Sequence, residues 1–198
     1  MAEISTAAAE AEGTESDHYV IDSRASRFTV QAFATGLLAK MGHNPTIGIR
    51  DFSGEMRFNP DAMEAGSFRF FIKTSSLGVQ DDISDKDRRE IERLMNQEVL
   101  ETAKFPEILY EASSISVTKM SDMLYSATLN GDLTLHGVSR CQPIVARVTL
   151  LGSMLRASGD FTLNQTDYEI KLVSVAGGAL KLKNELKFSF EIVARRQE

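Results

Sequence analysis

The clearest feature of the chain is a period of two in its apolar positions, which is typical of half-buried β-strands. From residue 125 to residue 136, the odd positions carry apolar residues or glycine and the even positions carry polar ones. The central Asn130-Gly131 pair is common in two-residue hairpin turns, but such a turn would place Leu129 and Asp132 on the same face. The unbroken phase therefore predicts one long strand, in which Gly131 allows a bend or a bulge.

Further strands follow from the same kind of pattern. Alternation of apolar and polar residues recurs in 28–33, 155–164 and 186–192. Apolar residues occupy both faces of 66–73 and 144–151, which predicts that these two strands are central in the sheet or covered on their outward side. Turn-forming residues separate the strands, and the predicted connections are 59–61, 120–122, 137–143, 152–153, 164–167 and 177–178.

One stretch, 85–100, breaks this rhythm, because its apolar residues lie at helical spacing among charged ones. These apolar residues are Ile91, Leu94, Met95 and Val99. Ser84 followed by Asp87 resembles a capping box with Asp in place of Glu, so the pattern predicts an amphipathic helix that begins after Ser84. A weaker pattern in 35–41 predicts a short helix or a loop.

Length and composition set the frame for these elements. The chain has 198 residues, of which 42% are hydrophobic and 25% charged, as expected for one globular domain. Residues 1–17 are rich in Ala, Glu, Ser and Thr and are predicted to form a flexible tail before a domain at 18–198. Many long strands and one clear helix predict a mainly β fold: a single antiparallel barrel of about eight strands, with one amphipathic helix and a short helical or loop lid. Such a barrel is either filled by side chains or able to hold one small ligand.

Charge and hydropathy exclude several classes of partner. The chain carries 28 acidic and 22 basic residues, a net charge of −6, so a nucleic-acid partner is not expected. No window contains the roughly 20 apolar residues of a membrane-spanning helix. Residues 1–16 lack both the basic and the apolar region of a secretory signal, which predicts a cytoplasmic protein, or a periplasmic one if the chain is a trimmed mature form.

Candidate catalytic chemistry is sparse. His136 and Cys141 lie close in sequence and suit a nucleophile and its base, but the sequence specifies no third residue to orient them. The histidines His18, His43 and His136 lack the short spacings of zinc or iron sites. Glycine-rich phosphate loops and nucleophile elbows are absent from the sequence. We therefore expect no catalytic residues, no metal site and no required cofactor.

Five segments resemble, in order and spacing, the motifs of the YceI-like family, also described as polyisoprenoid-binding lipocalin-like proteins. The segments are 19–22, 50–54, 105–108, 131–138 and 163–168. The most specific is Gly131-Asp132-Leu133-Thr134-Leu135-His136-Gly137-Val138. The resemblance implies a lipocalin-like barrel that binds a polyprenyl or fatty-acyl-like chain without catalysis.

The resemblance also implies which residues form the wall of the lumen. The strands would contribute Phe28, Val30, Phe68, Phe70, Ile72, Leu133, Leu135, Phe161, Phe188 and Phe190, and the helix Leu94, Met95 and Val99. On pattern alone, apolar residues on one face of a strand more often form a packed core than line a ligand cavity. The segment 34–47 and the helix would form the portal, where His43 is either a donor to a quinone or head-group oxygen or a surface residue on a turn.

Two stretches depart from the family pattern. Segment 34–47 is longer and more apolar than its usual counterpart, and Ala34 or Thr35 stands where many relatives carry a histidine. In 140–143 the proline comes later than usual, which a hairpin loop absorbs.

Two hypotheses on function remain at this point. The leading one is the carriage of an isoprenoid quinone, a polyprenol or another long-chain amphiphilic lipid. The alternative is a side-chain-filled barrel that acts as a stress-related interaction module, for example through a homodimer interface.

Overall fold

Antiparallel strands close into one barrel in the computed structural model, which describes residues 17–35, 44–58, 66–175 and 180–197. The strands of the barrel are β1 (Asp17–Ile21), β5 (Phe52–Phe58), β6 (Ser67–Lys73), β8 (Glu107–Ser121), β9 (Leu124–Leu135), β11 (Ile144–Leu151), β12 (Met154–Asn164) and β15 (Glu185–Arg196). Neighbours in this order are hydrogen-bonded, and β15 also pairs with β1, which closes the ring. The predicted mainly β barrel of about eight strands is confirmed.

Shorter strands extend the barrel wall at one end. These are β2 (Arg27–Gln31), β4 (Thr46–Ile49) and β7 (Leu77–Val79). Strand β2 continues β1 along β15, and it pairs in turn with β4, which pairs with β7. A hairpin adds β10 (Val138–Cys141) to the end of β9. Three further strands, β3 (Ala34–Thr35), β13 (Ser174–Val175) and β14 (Leu180–Leu182), form a small separate sheet.

Strand β9 runs without interruption through the Asn-Gly pair, as its phase predicts. Gly131 pairs with Ala112, and the register of the neighbouring strand shifts between Ala112 and Ser114. A Cβ atom at Gly131 would lie 2.8 Å from the Ala112 Cα and nearer still to the carbonyl oxygen of Glu111. Glycine therefore lets the two backbones approach closely beside a bulge, which confirms the predicted role of Gly131.

The predicted amphipathic helix is also confirmed. It comprises α1 (Asp85–Leu94) and a π-helical continuation (Met95–Val99). The hydroxyl oxygen of Ser84 accepts a hydrogen bond from the backbone N–H of Asp87 at 3.1 Å, so the helix begins at the expected cap. Its apolar side chains face the barrel interior, as the helical spacing of these residues requires.

Polar side chains attach α1 to β7. The backbone N–H of Val79 donates a hydrogen bond to the Glu92 carboxylate at 3.0 Å. The guanidinium of Arg88 donates to the backbone carbonyls of Val79 and Asp81. Hydrogen bonds that involve a charged group are stronger than neutral ones, so the helix is held firmly beside this strand.

The helix and the long hairpins lie at opposite ends of the barrel. The Nε2 atom of His136, just after β9, lies 2.8 Å from the carboxylate of Glu101, which follows the helix. We call this the helix end. At the other end of β9, the carbonyl of Met123 accepts a hydrogen bond from the N–H of Leu150, so the β8–β9 and β11–β12 turns lie side by side. We call this the hairpin end.

The predicted loop 137–143 is wrong in its central part, because Val138–Cys141 forms β10 and pairs with β9. The chain reverses earlier, at His136 and Gly137, whose φ angles are 53° and 77°. Two residues in the left-handed region suffice for a tight hairpin turn, which leaves the following residues free to pair.

One further expectation needs correction. The outward side of 144–151 is not covered, since Val145 is 55% and Leu151 41% exposed. The two ends of segment 34–47 belong to β3 and β4, and its role as a portal stays a prediction.

Several expectations concern residues that the structure does not describe. Strand β1 begins at Asp17, which the sequence placed in the tail, and residues 1–16 lie outside the described part of the chain. The connections 59–61 and 177–178, most of the 35–41 segment and His43 also lie outside it.

Candidate functional site

One cavity of about 560 Å³ occupies the barrel interior, and its wall consists of the inward faces of the strands together with the helix. This volume lies within the range of about 300–1,000 Å³ that is typical of small-molecule sites. Every residue that the resemblance assigned to the wall lines this cavity, namely Phe28, Val30, Phe68, Phe70, Ile72, Leu94, Met95, Val99, Leu133, Leu135, Phe161, Phe188 and Phe190. Contact between these side chains and a ligand stays a prediction.

Stacked phenylalanine rings form the middle of the wall. The ring of Phe28 stacks on Phe70 and Phe190, with ring centroids 5.5 and 5.9 Å apart. The rings of Phe161 and Phe188 stack at 4.7 Å, and both contact Phe28 edge-on. These contacts join β2, β6, β12 and β15, so the aromatic wall is held rigidly by four strands.

Two tyrosines of the wall, Tyr19 and Tyr110, have phenols with a raised pKa. The hydroxyl of Tyr110 lies 3.0 Å from both the Leu129 and the Gln142 carbonyl oxygens, which share its single proton as acceptors. Burial raises the pKa of the Tyr110 phenol well above its ordinary value. Burial, reinforced by the carboxylate of Asp17, also raises the pKa of Tyr19. Both phenols are therefore neutral at physiological pH and add no charge to the lumen.

Gln165 is the polar side chain buried most completely in the wall, at 2% exposure. Its amide nitrogen donates to the backbone carbonyls of Lys183 and Asn184 at 2.9 and 3.4 Å. Because the amide protons are already used, Gln165 fixes the start of the Gln165–Tyr168 3₁₀ turn at the helix end. Sequence reasoning placed this residue in a connection and carried no signal for a lining role.

Other lining residues were within reach of the sequence pattern. Tyr125, Ala127 and Leu129 lie on the apolar face of β9 and line the cavity beside the predicted Leu133 and Leu135. The alternation that identified the strand also predicts that these three residues face inward with Leu133 and Leu135.

Charged side chains reach the cavity at the helix end. Among the described residues that line it, the charged ones are Asp87 on α1 and Lys181 on β14, and both are exposed. Pro45 and Leu182 lie with them in the lining. The cavity therefore reaches the protein surface between the helix and the small sheet. Entry of a ligand at this place stays a prediction.

His136 has a structural environment. Its Nε2 atom lies 2.8 Å from the Glu101 carboxylate, its Nδ1 atom 3.3 Å from the Tyr168 carbonyl oxygen, and its ring 4.3 Å from that of Phe105. Cys141 is exposed on β10, and no hydrogen bond among the described residues joins its thiol to the imidazole. The geometry thus gives His136 a role in joining three loops rather than in activating a thiol.

The described ranges contain neither a metal-binding cluster nor a membrane-spanning helix. His, Cys, Asp and Glu side chains do not gather there in a group of three or more that suits a metal ion. In the part of the chain that the structure describes, the helix is too short and too polar to span a membrane.

Solved structures with the same architecture include three bacterial proteins. BcnA from Burkholderia cenocepacia superposes with a TM-score of 0.65 and 16% identity, covering 87% of this chain and 98% of its own. A polyisoprenoid binding domain from Saccharophagus degradans, implicated in plant cell wall breakdown, superposes with a TM-score of 0.60 and 16% identity, covering 90% of this chain and 98% of its own. The YCEI protein of Campylobacter jejuni superposes with a TM-score of 0.55 and 15% identity, covering 77% of this chain and 85% of its own. At these identities, the likeness shows that the fold is shared.

Sequence relatives extend over the same region. A UPF0312 protein of Pseudomonas savastanoi pv. phaseolicola is 29% identical over 187 residues, which cover 90% of this chain and 87% of the relative. A UPF0312 protein of Pseudomonas syringae pv. syringae matches to the same extent. The YceI-like domain matches residues 19–194, which is nearly the whole barrel. The chain therefore belongs to the family of YceI-like domains, as the order of its motifs indicated.

Proposed function

We propose that this protein binds and carries one long amphiphilic lipid in its barrel, without catalysing a reaction on it. The ligand class is a polyisoprenoid, an isoprenoid quinone or a fatty-acyl-like chain. The observation that carries the proposal is the cavity of about 560 Å³, whose described charged lining residues, Asp87 and Lys181, are exposed at its mouth. A hydrocarbon chain needs such a continuous apolar wall and few polar contacts.

The size of the wall sets the available binding energy. Each buried CH₂ group of a ligand contributes about 0.8 kcal/mol. Because the phenols of Tyr19 and Tyr110 stay neutral, an apolar chain can lie against them without meeting a charge. The head group would remain at the mouth, where the ammonium group of Lys181 can pair with an oxygen-rich or anionic group.

Family membership and one structural neighbour support the same ligand class. The Saccharophagus degradans domain is described as polyisoprenoid-binding, and it shares the fold of this chain over 90% of its length. Because the two barrels have the same strand topology, the inward faces of their strands surround the barrel interior in the same way. The shared fold and the apolar wall of this chain therefore support the same class of ligand.

A binding role without catalysis agrees with the chemistry of the wall. His136 is engaged with Glu101 and Tyr168, and the Gln165 amide is engaged with backbone carbonyls. A catalytic site would instead place a nucleophile or an acid and base where a ligand can reach them. The proposal therefore includes no cofactor, and a cytoplasmic location stays a prediction.

The alternative of a side-chain-filled barrel agrees less well with the structure. A filled barrel leaves few voids larger than a water molecule, because protein interiors are packed as densely as organic crystals. The cavity of about 560 Å³ exceeds such voids greatly.

A series of isoprenoid quinones of increasing tail length tests this proposal. We expect the thermal unfolding midpoint, followed by circular dichroism, to rise with tail length and then level off when the lumen is full. Ligand present at 100 times its Kd should add about 2.7 kcal/mol to the free energy of unfolding. The absence of a shift with every quinone, polyprenol and fatty acid tested would contradict lipid carriage, as would an equal shift with a tailless head group.

A further inference from the structure

Large apolar side chains are exposed on two neighbouring turns at the hairpin end. Met120 is 64% and Met123 55% exposed on the β8–β9 hairpin, and Leu151 is 41% exposed at the end of β11. The hydrogen bond of 3.0 Å from the Leu150 N–H to the Met123 carbonyl holds the two turns together. These side chains thus form one apolar projection, and exposed apolar clusters of this kind mark sites of interaction.

Two arginines without ion-pair partners lie beside this projection. Arg147 on β11 and Arg156 on β12 point outward, because the residues that alternate with them line the cavity. Register places Arg147 opposite Ser158, and Arg156 opposite Thr149, so the two cations lie on adjacent strands. Neither has an acidic partner within 4.0 Å in the described part of the chain. In a chain with a net charge of −6, this placement is a local reversal of charge.

Two acidic groups near the projection are paired with cations. Asp122, between the two methionines, has a side chain that is 96% exposed and lies 3.3 Å from the ammonium group of Lys119. Asp22 pairs in the same way with Arg195, the register partner of Met154. Glu191, exposed on β15 opposite Ser158, has no cation within 4.0 Å in the described part of the chain. Two unpaired arginines against this one carboxylate leave a positive excess beside the apolar projection.

We propose that the hairpin tip, defined as Met120, Met123, Leu151, Arg147 and Arg156, docks the protein on a membrane surface that contains anionic lipids. Methionine and leucine side chains would enter the boundary between head groups and acyl chains. The guanidinium groups would bind lipid phosphates, for which their planar donors are well suited. This inference goes beyond lipid carriage, since it assigns a second surface and a second partner.

The combination of apolar side chains with arginines favours an anionic lipid surface as the partner. Val148 and Leu150 alternate with the exposed arginine and leucine of β11 and line the lumen. The mouth of the cavity lies at the helix end, so docking at the hairpin tip leaves the mouth free. A second copy of the chain suits this surface less well, because a two-fold interface would bring the same arginines face to face.

Flotation with lipid vesicles tests the proposal on the full chain. We expect binding to vesicles of phosphatidylcholine mixed with phosphatidylglycerol, and little binding to phosphatidylcholine alone. The variant Arg147→Gln/Arg156→Gln should bind the mixed vesicles about 25-fold more weakly, at about fivefold for each arginine. The variant Met120→Ser/Met123→Ser should also bind more weakly, whereas Asp122→Asn should bind more tightly because one anion is removed.

The matched control removes two cations at the helix end. Lys86 and Arg89 are exposed on α1, so Lys86→Gln/Arg89→Gln makes the same change of net charge at the other end of the barrel. Equal losses in the control and the tip variant would overturn the proposal, as would equal binding to both vesicle types or no binding to either. A dimer that dissociates in the tip variants, detected by light scattering, would also overturn it and identify a subunit interface. Quinone titration without vesicles should be unchanged in the tip variants, so failure of docking and failure of lipid carriage are distinguishable.

Discussion

Replacement of Ala157 by phenylalanine is expected to weaken lipid binding more than tenfold while the barrel stays folded. Ala157 lies on β12 between Val148 and Ile192 and lines the lumen, so a phenyl ring there would occupy space that a ligand chain needs. Displacement of two methylene groups of the ligand costs about 1.6 kcal/mol, at about 0.8 kcal/mol for each group. That loss corresponds to somewhat more than a tenfold rise in Kd.

Ser158→Phe is the matched control for this change. Ser158 is the next residue on the same strand and is exposed on the outer surface, so the same ring is added outside the lumen. Titration calorimetry with one quinone, together with circular dichroism to verify the fold, measures both variants. An unchanged Kd for folded Ala157→Phe would show that the ligand does not use this part of the lumen. Equal losses in both variants would point to an indirect effect on the barrel.

Gly131→Ala is expected to lower the free energy of unfolding by about 1–3 kcal/mol, as overpacking typically does. The added Cβ would lie 2.8 Å from the Cα of Ala112 and closer to the Glu111 carbonyl oxygen. These are backbone atoms of β8, so neither can move without disturbing the pairing of β8 and β9, which are 15 and 12 residues long. Urea unfolding followed by circular dichroism measures the change.

Gly66→Ala provides the contrast. Its Cβ would lie 3.1 Å from Cδ1 and 3.3 Å from Cβ of Ile115, so the contacts are longer than those at Gly131 and involve a side chain instead of the backbone. A smaller loss is therefore expected, and the reduced entropy of the unfolded chain offsets part of it. If the two substitutions changed the free energy of unfolding equally, the close approach of the backbones at Gly131 would not be the cause of its effect.

Sequence pattern was sufficient for elements whose period is unbroken. The single apolar phase of 125–136 identified β9 and its inward face despite the Asn-Gly pair. Helical spacing and the Ser84 cap identified α1 in the same way. In both cases the local period and the tertiary packing agree, so the pattern alone determines the element.

Predictions from the sequence failed where contacts between distant parts of the chain determine the local structure. Strand β10 is short and its sequence is mostly polar, and it exists because a tight turn at His136 places it beside β9. Gln165 lies in a segment with turn composition, so its position in the cavity wall depends on contacts distant in sequence. Apolar outward residues such as Val145 and Leu151 predicted a cover, but their exposure depends on what packs over them.

The sequence pattern was sufficient to predict which residues face the barrel interior. It was not sufficient to predict that a cavity lies between them. Stacked rings such as Phe28 on Phe70 could fill a core as well as line a cavity. The difference depends on how far the closed ring of strands separates opposite walls, and strand number and stagger determine this distance. A sequence pattern specifies which side chains point inward, but it does not specify the space between them.

Native mass spectrometry of the gently purified protein, followed by organic extraction and identification of what is released, tests lipid carriage most directly. We expect an added mass at one ligand per chain and a released molecule with a long apolar tail, such as an isoprenoid quinone or a polyprenol. The bare mass of the chain, together with no thermal shift when prenyl quinones are added, would contradict the account.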